Sequence, residues 1–152
     1  MRVVFVRHGE KRRGESDPEL TANGRRMAHE TGLWLTNQGL VPSLFVSTPT
    51  ARTRQTVEEL VRAMASDAPT EEGDLPELED DLEAMLGRLA ARSPSLEVVI
   101  CVGHHPTIDM LKRSLSVPVQ IPRVNLACAI VLEASPGGDA ACVAAWPGRP
   151  SY

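Results

Sequence analysis

Short apolar runs, separated by longer segments of mixed polarity, set the pattern of this chain. Three of the runs are continuous, as is typical of buried strands, and lie at 3–6, 43–47 and 97–103. Two later runs, at 127–132 and 140–146, predict a closing strand pair joined by a Pro-Gly-Gly-Asp turn at 136–139. The pattern therefore predicts five strands.

Between the strands, apolar residues recur at the spacing of one helix face. In the first such segment, Met27, Thr31, Trp34 and Leu35 share a face. Four helices are predicted: from 21 to about 38, from Thr48 and Pro49 onward, from 78 to the proline at 94, and from Pro106 onward. The segment 66–77 is acidic, contains proline and glycine, and is predicted to be a loop.

This order of elements, β-α-β-α-α-β-α-β-β, predicts an α/β fold. We expect a three-layer α/β/α sandwich, because strands that alternate with helices form a sheet covered on both faces. The central sheet is expected to be mostly parallel, with the last strand pair adding an antiparallel edge. The length of 152 residues predicts a single domain over 1–152, with an irregular tail at 147–152.

Composition and charge exclude several classes of protein. The formal net charge is −4, which disfavours a protein that coats nucleic acid. No apolar run approaches the length of a membrane span, and the apolar start is too short for a signal peptide, so we expect a cytoplasmic protein. Three cysteines in apolar stretches, Cys101, Cys128 and Cys142, predict reduced core thiols.

Basic residues are concentrated near the start of the chain. Residues 1–54 contain nine Arg or Lys against five Asp or Glu, whereas 55–152 contain seven against fifteen. Arginine is favoured where a planar anion is held by two donors, so this asymmetry points to an anionic ligand. Solvated surface arginines are the alternative interpretation.

Histidine and arginine follow three of the predicted strands. The motifs are Arg7-His8-Gly9 after the first strand, Thr48-Pro49 with Arg52 after the second, and Gly103-His104-His105-Pro106 after the third. In an open α/β sheet, ligands bind beyond the carboxyl ends of the strands. A neutral imidazole is a competent nucleophile, and an adjacent guanidinium binds the phosphoryl group that it attacks. Taken singly, each motif also fits a structural histidine or an exposed helix arginine.

A metal site is not favoured by the adjacent histidines His104 and His105. Consecutive side chains diverge, and no set of Cys, His and carboxylate residues with metal-ligand spacing accompanies them.

With these three motifs in this order, the sequence resembles the histidine phosphatase superfamily, which includes the cofactor-dependent phosphoglycerate mutases. The short chain and the segments 20–24 and 75–78 are similar to SixA-type phosphohistidine phosphatases. The resemblance implies a phosphoglycerate mutase-like fold and a phosphohistidine intermediate on His8. It implies that Arg7, Arg52 and His104 hold the phosphoryl oxygens, with Gly9 in the same substrate-binding loop. No metal or other cofactor is implied.

Other residues of the resemblance are expected to have lesser or structural roles. Glu77 best matches the family's general acid, Asp80 and Asp81 are rivals, and a carboxylate that merely favours a helix N-terminus is the alternative. The chain departs from the family before Leu20, where Pro18 and Glu19 stand in place of an arginine, so Arg12 or Arg13 is expected to reach the same phosphate, with solvated loop arginines as the alternative. We expect structural positions for His105, at a helix start, and His29, on a helix surface.

Three functions follow from the resemblance. The first is hydrolysis of phosphohistidine on a protein such as a histidine phosphotransfer domain, because no cap insertion is evident. The second is a phosphomonoesterase for a small sugar or nucleotide phosphate. The third is a catalytically silent phosphate-binding module. The presence of His8, and of both the arginines and the histidine that would hold the phosphoryl oxygens, argues against this third function. A mutase is disfavoured, because retaining the phosphoryl group needs a closed site. We expect no nucleic-acid or membrane partner.

Overall fold

The computed structural model of the chain describes residues 1–135, 137 and 139–150. In chain order, its elements are β1 (Arg2–Arg7), α1 (Ala22–Asn37), β2 (Leu44–Ser47), α2 (Ala51–Ala63), β3 (Thr70–Glu72), α3 (Glu79–Arg92), β4 (Val98–Gly103), α4 (His105–Ser114), β5 (Asn125–Leu126), β6 (Ala129–Ala134), β7 (Ala140–Trp146) and β8 (Arg149–Pro150). Within this part of the chain, every helix is too short or too polar to cross a membrane.

Six strands form the central sheet, in the order β3-β2-β4-β1-β6-β7. The pairs β1–β4, β2–β4 and β2–β3 are parallel, whereas β1–β6 and β6–β7 are antiparallel. In the middle of the sheet, Val4 is paired with Ile100 on one side and with Val131 on the other. The predicted mostly parallel sheet with an antiparallel edge is confirmed.

Helices cover both faces of this sheet because the side chains of β1 alternate between two cores. Val4 and Val6 belong to a buried cluster with residues of α1 and α2. Val3 and Phe5 point the other way, into a cluster with residues of α3 and α4. Full burial of one such side chain contributes roughly 1.5–3 kcal/mol. The continuous apolar run at the start of the chain is therefore a strand buried on both sides, and the three-layer sandwich is confirmed.

Between β2 and α3, the structure contains a strand that was not predicted and a helix that begins later than predicted. The segment expected to be a loop contains β3, whose exposed polar residues carry no apolar pattern. It is held by parallel backbone pairing with 45–47 of β2. Helix α2 begins at Ala51 and not at Thr48 or Pro49, because the Thr50 side chain accepts a hydrogen bond from the Thr53 amide and caps the helix there.

The end of the chain also differs from the prediction. Within the tail expected to be irregular, β8 pairs antiparallel with β5, so that Leu126 lies opposite Arg149. Gly148 makes this return possible, since its φ of 71° lies in the left-handed region that glycine adopts at no steric cost. Residues 151–152, and positions 136 and 138 of the predicted turn, lie outside the described residues.

The three cysteines are free thiols, but they are not equally buried. Cys101 and Cys128 are buried, as expected, and burial raises the pKa of the Cys128 thiol to about 11. Cys142 is only partly buried, because it lies on β7 at the edge of the sheet. The expectation of core thiols is therefore confirmed for two residues, while the third packs against one core cluster from the edge of the sheet without being fully buried.

Candidate active site

The ends of neighbouring strands bring the three motifs together. His8 directly follows β1, and its amide donates a hydrogen bond of 3.0 Å to the carbonyl of Gly103, the last residue of β4. His104 follows β4, while the amide of Thr48, after β2, donates to the Val102 carbonyl at 3.2 Å. As a result, the rings of His8 and His104 lie edge to face, with centroids 5.5 Å apart.

The tautomer of His8 follows from its single hydrogen bond. Its Nδ1 lies 2.7 Å from the carbonyl oxygen of Gly9, and a carbonyl only accepts, so Nδ1 carries the proton and Nε2 keeps a lone pair. Burial is the main reason that the pKa of His8 is lowered to about 3, and the nearby charges of Arg7 and Arg52 contribute to the same shift. The imidazole is therefore neutral near pH 7, and its Nε2 is able to act as a nucleophile.

Gly9 orients His8 and leaves no donor for a substrate. Its amide donates to Thr56 Oγ1 at 3.1 Å, while its carbonyl accepts from His8. A methyl group at Gly9 would clash with the backbone of Gly24 at the start of α1. Both backbone groups of Gly9 are therefore used within the fold, and a part for Gly9 in substrate binding stays a prediction.

Arg7 is anchored by backbone carbonyls from a distant segment. Its Nη1 donates to the carbonyls of Arg123 and Asn125, each at 2.8 Å. Its Nε is buried and has no hydrogen-bond partner among the described residues. A buried donor without a partner costs about 1–3 kcal/mol, so this N–H is stabilised by any anion that enters the site.

Arg52 lies in the first turn of α2 and has the same property. Its Nη2 lies 3.4 Å from Nδ1 of His104, whereas its buried Nε has no partner in the described part of the chain. Two amides of this helix start are already used, since Ala51 donates to the Asp17 carboxylate and Thr53 to Thr50 Oγ1, so the helix contributes its dipole to anion binding. The site therefore offers two orphaned guanidinium donors next to two imidazoles.

Arg52 and a chain of hydroxyl groups fix the tautomer of His104. Since Arg52 can only donate, Nδ1 of His104 is an acceptor, and Nε2 carries the proton that it donates to Thr48 Oγ1 at 3.1 Å. Thr48 in turn donates to Thr53 Oγ1 at 3.0 Å, and Thr53 donates to the Thr48 carbonyl at 2.7 Å. Burial lowers the pKa of His104, and the charge of Arg52 lowers it further, so the ring is neutral.

A cavity of about 720 Å³, here called the His8 cavity, is lined by Arg7, His8, Arg52 and His104. Five permanently basic side chains and two carboxylates line it: Arg7, Lys11, Arg13, Arg52, Arg123, Glu10 and Glu77. The excess is positive, although the whole chain carries −4. The cavity is therefore suited to an anionic ligand.

The other predicted residues are distributed around this cavity. Glu77 lines it and is exposed, whereas Asp81 lines a neighbouring cavity together with Glu77 and His104; Asp80 lines neither. Arg13 reaches the His8 cavity and Arg12 does not. His105 lines the cavity as the first residue of α4, and His29 is exposed on α1, in the positions expected for them.

Sequence reasoning missed four residues of the site. Lys11 and Glu10 continue the first motif, and Thr48 belongs to the second, so their proximity was a signal. Arg123 carried no signal, because it follows α4 in a segment without a motif. Among the described residues, no group of three His, Cys, Asp or Glu is placed to hold a metal ion.

Comparison with known proteins agrees with this geometry. The model of the histidine phosphatase superfamily (branch 1) matches residues 3–80, just over half of the chain. No curated protein sequence matches this chain. Among solved structures, the protein histidine phosphatase SixA bound to tungstate is similar, with a TM-score of 0.75 and 22% identity over 95% of this chain and 96% of that one.

Two further structures share the fold. A candidate SixA phosphohistidine phosphatase from Agrobacterium tumefaciens has a TM-score of 0.68 and 24% identity, over 95% of this chain and 96% of that one. A mycobacterial glucosyl-3-phosphoglycerate phosphatase bound to VO₃ has a TM-score of 0.61 and 20% identity, over 87% and 92% of the two chains. At these identities the likeness is one of fold.

Proposed function

The chain belongs to the histidine phosphatase superfamily and is a phosphatase of that superfamily, and on this premise we propose that it hydrolyses phosphohistidine on a protein through a covalent intermediate on His8. The observation that carries the proposal is the neutral His8 ring with Nε2 deprotonated, beside two buried guanidinium donors that have no partner in the described chain.

In the first step, Nε2 of His8 attacks phosphorus as the bond to the substrate imidazole breaks. The substrate nitrogen leaves with the bonding electrons and takes up a proton from solvent. In the second step, water attacks phosphorus and gives up a proton to solvent, the electrons of the bond to His8 return to Nε2, and inorganic phosphate leaves. Arg7 and Arg52 bind the non-bridging oxygens, on which negative charge accumulates in both transition states, and His104 joins them as a donor once the bound phosphoryl group favours its protonation at Nδ1.

The openness of the site supports a protein substrate. The connections 48–50 and 104 are too short to cover the cavity, and the longer connections 8–21 and 115–124 line it with side chains that are themselves exposed, Lys11, Arg13 and Arg123. An imidazole leaves readily once protonated, and therefore needs less help from a general acid than an alkoxide does. Glu77, exposed at the cavity, fits this lesser demand.

A second candidate function is hydrolysis of a small phosphate ester. One observation favours it: Glu77 lines the same cavity as His8 and His104, where a carboxylic acid is able to protonate an alkoxide leaving group. In this case Glu77 is essential for turnover.

The test is an assay in EDTA on a phosphohistidine protein and on an aryl phosphate. We expect turnover of the phosphohistidine protein, its loss in His8→Ala, and full activity in His29→Ala, which changes an exposed histidine of α1. Rapid quenching should trap an acid-labile phosphoryl group on His8. Turnover retained by His8→Ala contradicts the mechanism. Turnover of the ester alone favours the second candidate, and phosphate binding without turnover favours a silent module.

A further inference from the structure

We propose that Lys11, Arg13 and Arg123 form a docking surface for acidic side chains that surround the phosphohistidine of a substrate protein. This inference rests on the proposed function, since it concerns how the same site recognises its substrate. The three residues, here called the basic rim, line the His8 cavity and are themselves exposed, so they lie at its mouth.

The charges of the basic rim are not neutralised within the fold. Lys11 and Arg13 form no ion pair with any residue that the structure describes. Arg123 has one carboxylate neighbour, Asp109, at 3.6 Å, and 76% of its side chain remains exposed. An exposed pair at this distance is weak and leaves the guanidinium free to bind another anion.

The carboxylates of the cavity do not cancel this charge either. Glu10 is turned to α1, where its carboxylate accepts a hydrogen bond from Thr21 Oγ1 at 2.8 Å. Glu77 is the other acidic residue of the lining. The mouth of the cavity is therefore a local positive region on a chain whose formal charge is −4, and such a region attracts a negatively charged partner.

The basic rim is separate from the groups that would bind the phosphoryl oxygens. Arg7 and Arg52 have buried Nε atoms close to the two imidazoles, whereas the side chains of the rim are exposed. The rim is still within electrostatic reach of that centre: burial is the main cause of the lowered pKa values of His104 and Arg7, and the charges of Lys11 and Arg123 respectively add to these shifts. A ligand that spans both must therefore extend beyond one phosphoryl group.

The surroundings of the basic rim fit a protein better than a metabolite. A small-molecule site encloses most of its ligand, but these three side chains are exposed. Next to Arg123, Val124 is 61% exposed and lines the same cavity, together with Pro106. Arginine beside exposed apolar side chains is typical of protein interfaces. The complementary surface is acidic, with the phosphohistidine at its centre.

The test compares kcat/KM for two phosphohistidine substrates. One is a phosphorylated histidine phosphotransfer domain with Asp and Glu residues beside its histidine, and the other is phosphoimidazole. The variants are Lys11→Gln, Arg13→Gln and Arg123→Gln, singly and combined. The matched control is Arg88→Gln, which removes an exposed arginine of α3 that lines a different cavity.

We expect each rim variant to lower the ratio of the two kcat/KM values by about two- to five-fold, the range of an exposed ion pair. The losses should multiply in the triple variant, and its kcat/KM for the domain should depend less on salt than that of the wild type. Replacing the acids of the domain by Asn and Gln should lower the wild-type ratio and have little further effect on the triple variant.

Three results would overturn the proposal. The first is a triple-variant ratio equal to that of Arg88→Gln. The second is an equal loss on both substrates, which would assign the rim to the phosphoryl group itself. The third is a selective loss on a phosphate ester that carries a second phosphate or carboxylate, which would make the occupant a metabolite.

The activity of the wild type on the same two substrates tests the proposed function separately from the basic rim. If the wild type hydrolyses neither phosphohistidine substrate, the proposed function is wrong. The basic rim is then judged by the Kd of the phosphorylated domain for the His8→Ala protein. Weaker binding when the three rim substitutions are added supports docking, and an unchanged Kd overturns it.

Discussion

The central sheet has a cavity of similar volume at each of its two ends, but only one has the chemistry of a site. The His8 cavity measures about 720 Å³, and the cavity at the opposite end, here called the Arg2 cavity, about 730 Å³. In the Arg2 cavity the charges neutralise one another. Arg2 Nε lies 3.2 Å from the carboxylate of Glu133, and the terminal amine of Met1 lies 3.8 Å from the same group.

In the His8 cavity the charges do not cancel, and Arg7 and Arg52 each retain a buried Nε without a partner in the described chain. The difference teaches that volume is a poor marker of function in this fold. Polar groups left unsatisfied at the carboxyl ends of parallel strands are a better marker, because such groups are rare in folded proteins and these lie where α/β sheets bind their ligands.

The largest expected difference between the two ends comes from removing one arginine at each. Arg52→Ala should lower kcat/KM for a phosphohistidine protein by about 10²–10³-fold, the loss typical of one preorganised donor. Arg2→Ala removes only an exposed ion pair and should change it by less than about two-fold. Steady-state kinetics on both variants, with thermal unfolding to confirm folding, makes the comparison. Equal losses would show that the unsatisfied donors are not what distinguishes the ends.

Acid stability should also depend on the His8 end. The unfolded chain protonates this imidazole below a pH of 6.5, whereas in the folded protein its pKa is about 3. The folded state is therefore favoured fully above 6.5, and this advantage is lost as the pH falls from 6.5 towards 3. Between 6.5 and about 4.5, the wild type should lose about 2–3 kcal/mol more unfolding free energy than His8→Asn.

Urea unfolding at both pH values measures this difference, with His29→Asn as the control, because it changes an exposed histidine. That control should lose as much stability as the wild type. If wild type and His8→Asn lose equal stability, the buried neutral imidazole at the centre of the site is contradicted.

A smaller effect is expected from the hydroxyl chain that orients His104. Thr48→Val removes the acceptor of the His104 Nε2 proton at nearly constant volume, and a lost hydrogen bond of about 1 kcal/mol corresponds to roughly a five-fold lower kcat. Thr48→Ser should restore the rate. The ¹⁵N shifts of the His104 ring should move in the valine variant and return with serine.

The matched control for Thr48 is Thr36→Val, since the Thr36 hydroxyl donates only to a carbonyl of its own helix. This variant should leave both kcat and the ring shifts unchanged. Unchanged ring shifts in Thr48→Val would mean that the tautomer of His104 is set by Arg52 alone.

Sequence periodicity was sufficient to predict the elements whose side chains pack into the core. The run that became β1 and the stripe that became α1 carry their pattern in side chains, because those side chains pack on both faces of the sheet or on one face of a helix. The strand β3 has exposed polar residues, and backbone pairing alone holds it. Such an element leaves no apolar period to read.

The same limit applies to the site. His8 and His104 follow apolar strands, so their meeting at the carboxyl ends of these strands was predictable from the order of elements. Arg123 was not predictable, because its approach to Arg7 depends on a backbone carbonyl, and every residue has one. Contacts made by the backbone of an irregular segment leave no mark on residue type, and the basic rim is completed by such a segment.

The smallest expected effect separates the carboxylates of the two ends. Glu133 is paired with Arg2, whereas Glu77 is exposed in the His8 cavity. With an imidazole leaving group, Glu77→Gln should lower kcat by less than about three-fold. With an alkyl phosphate, the same change should lower kcat by about 10²-fold or more, since the alkoxide then leaves without its proton. Glu133→Gln should affect neither substrate. Equal losses on both substrates would mean that Glu77 acts on the phosphoryl group or on the attacking water. The easily lost imidazole would then no longer explain why the site can function with Glu77 in an exposed position.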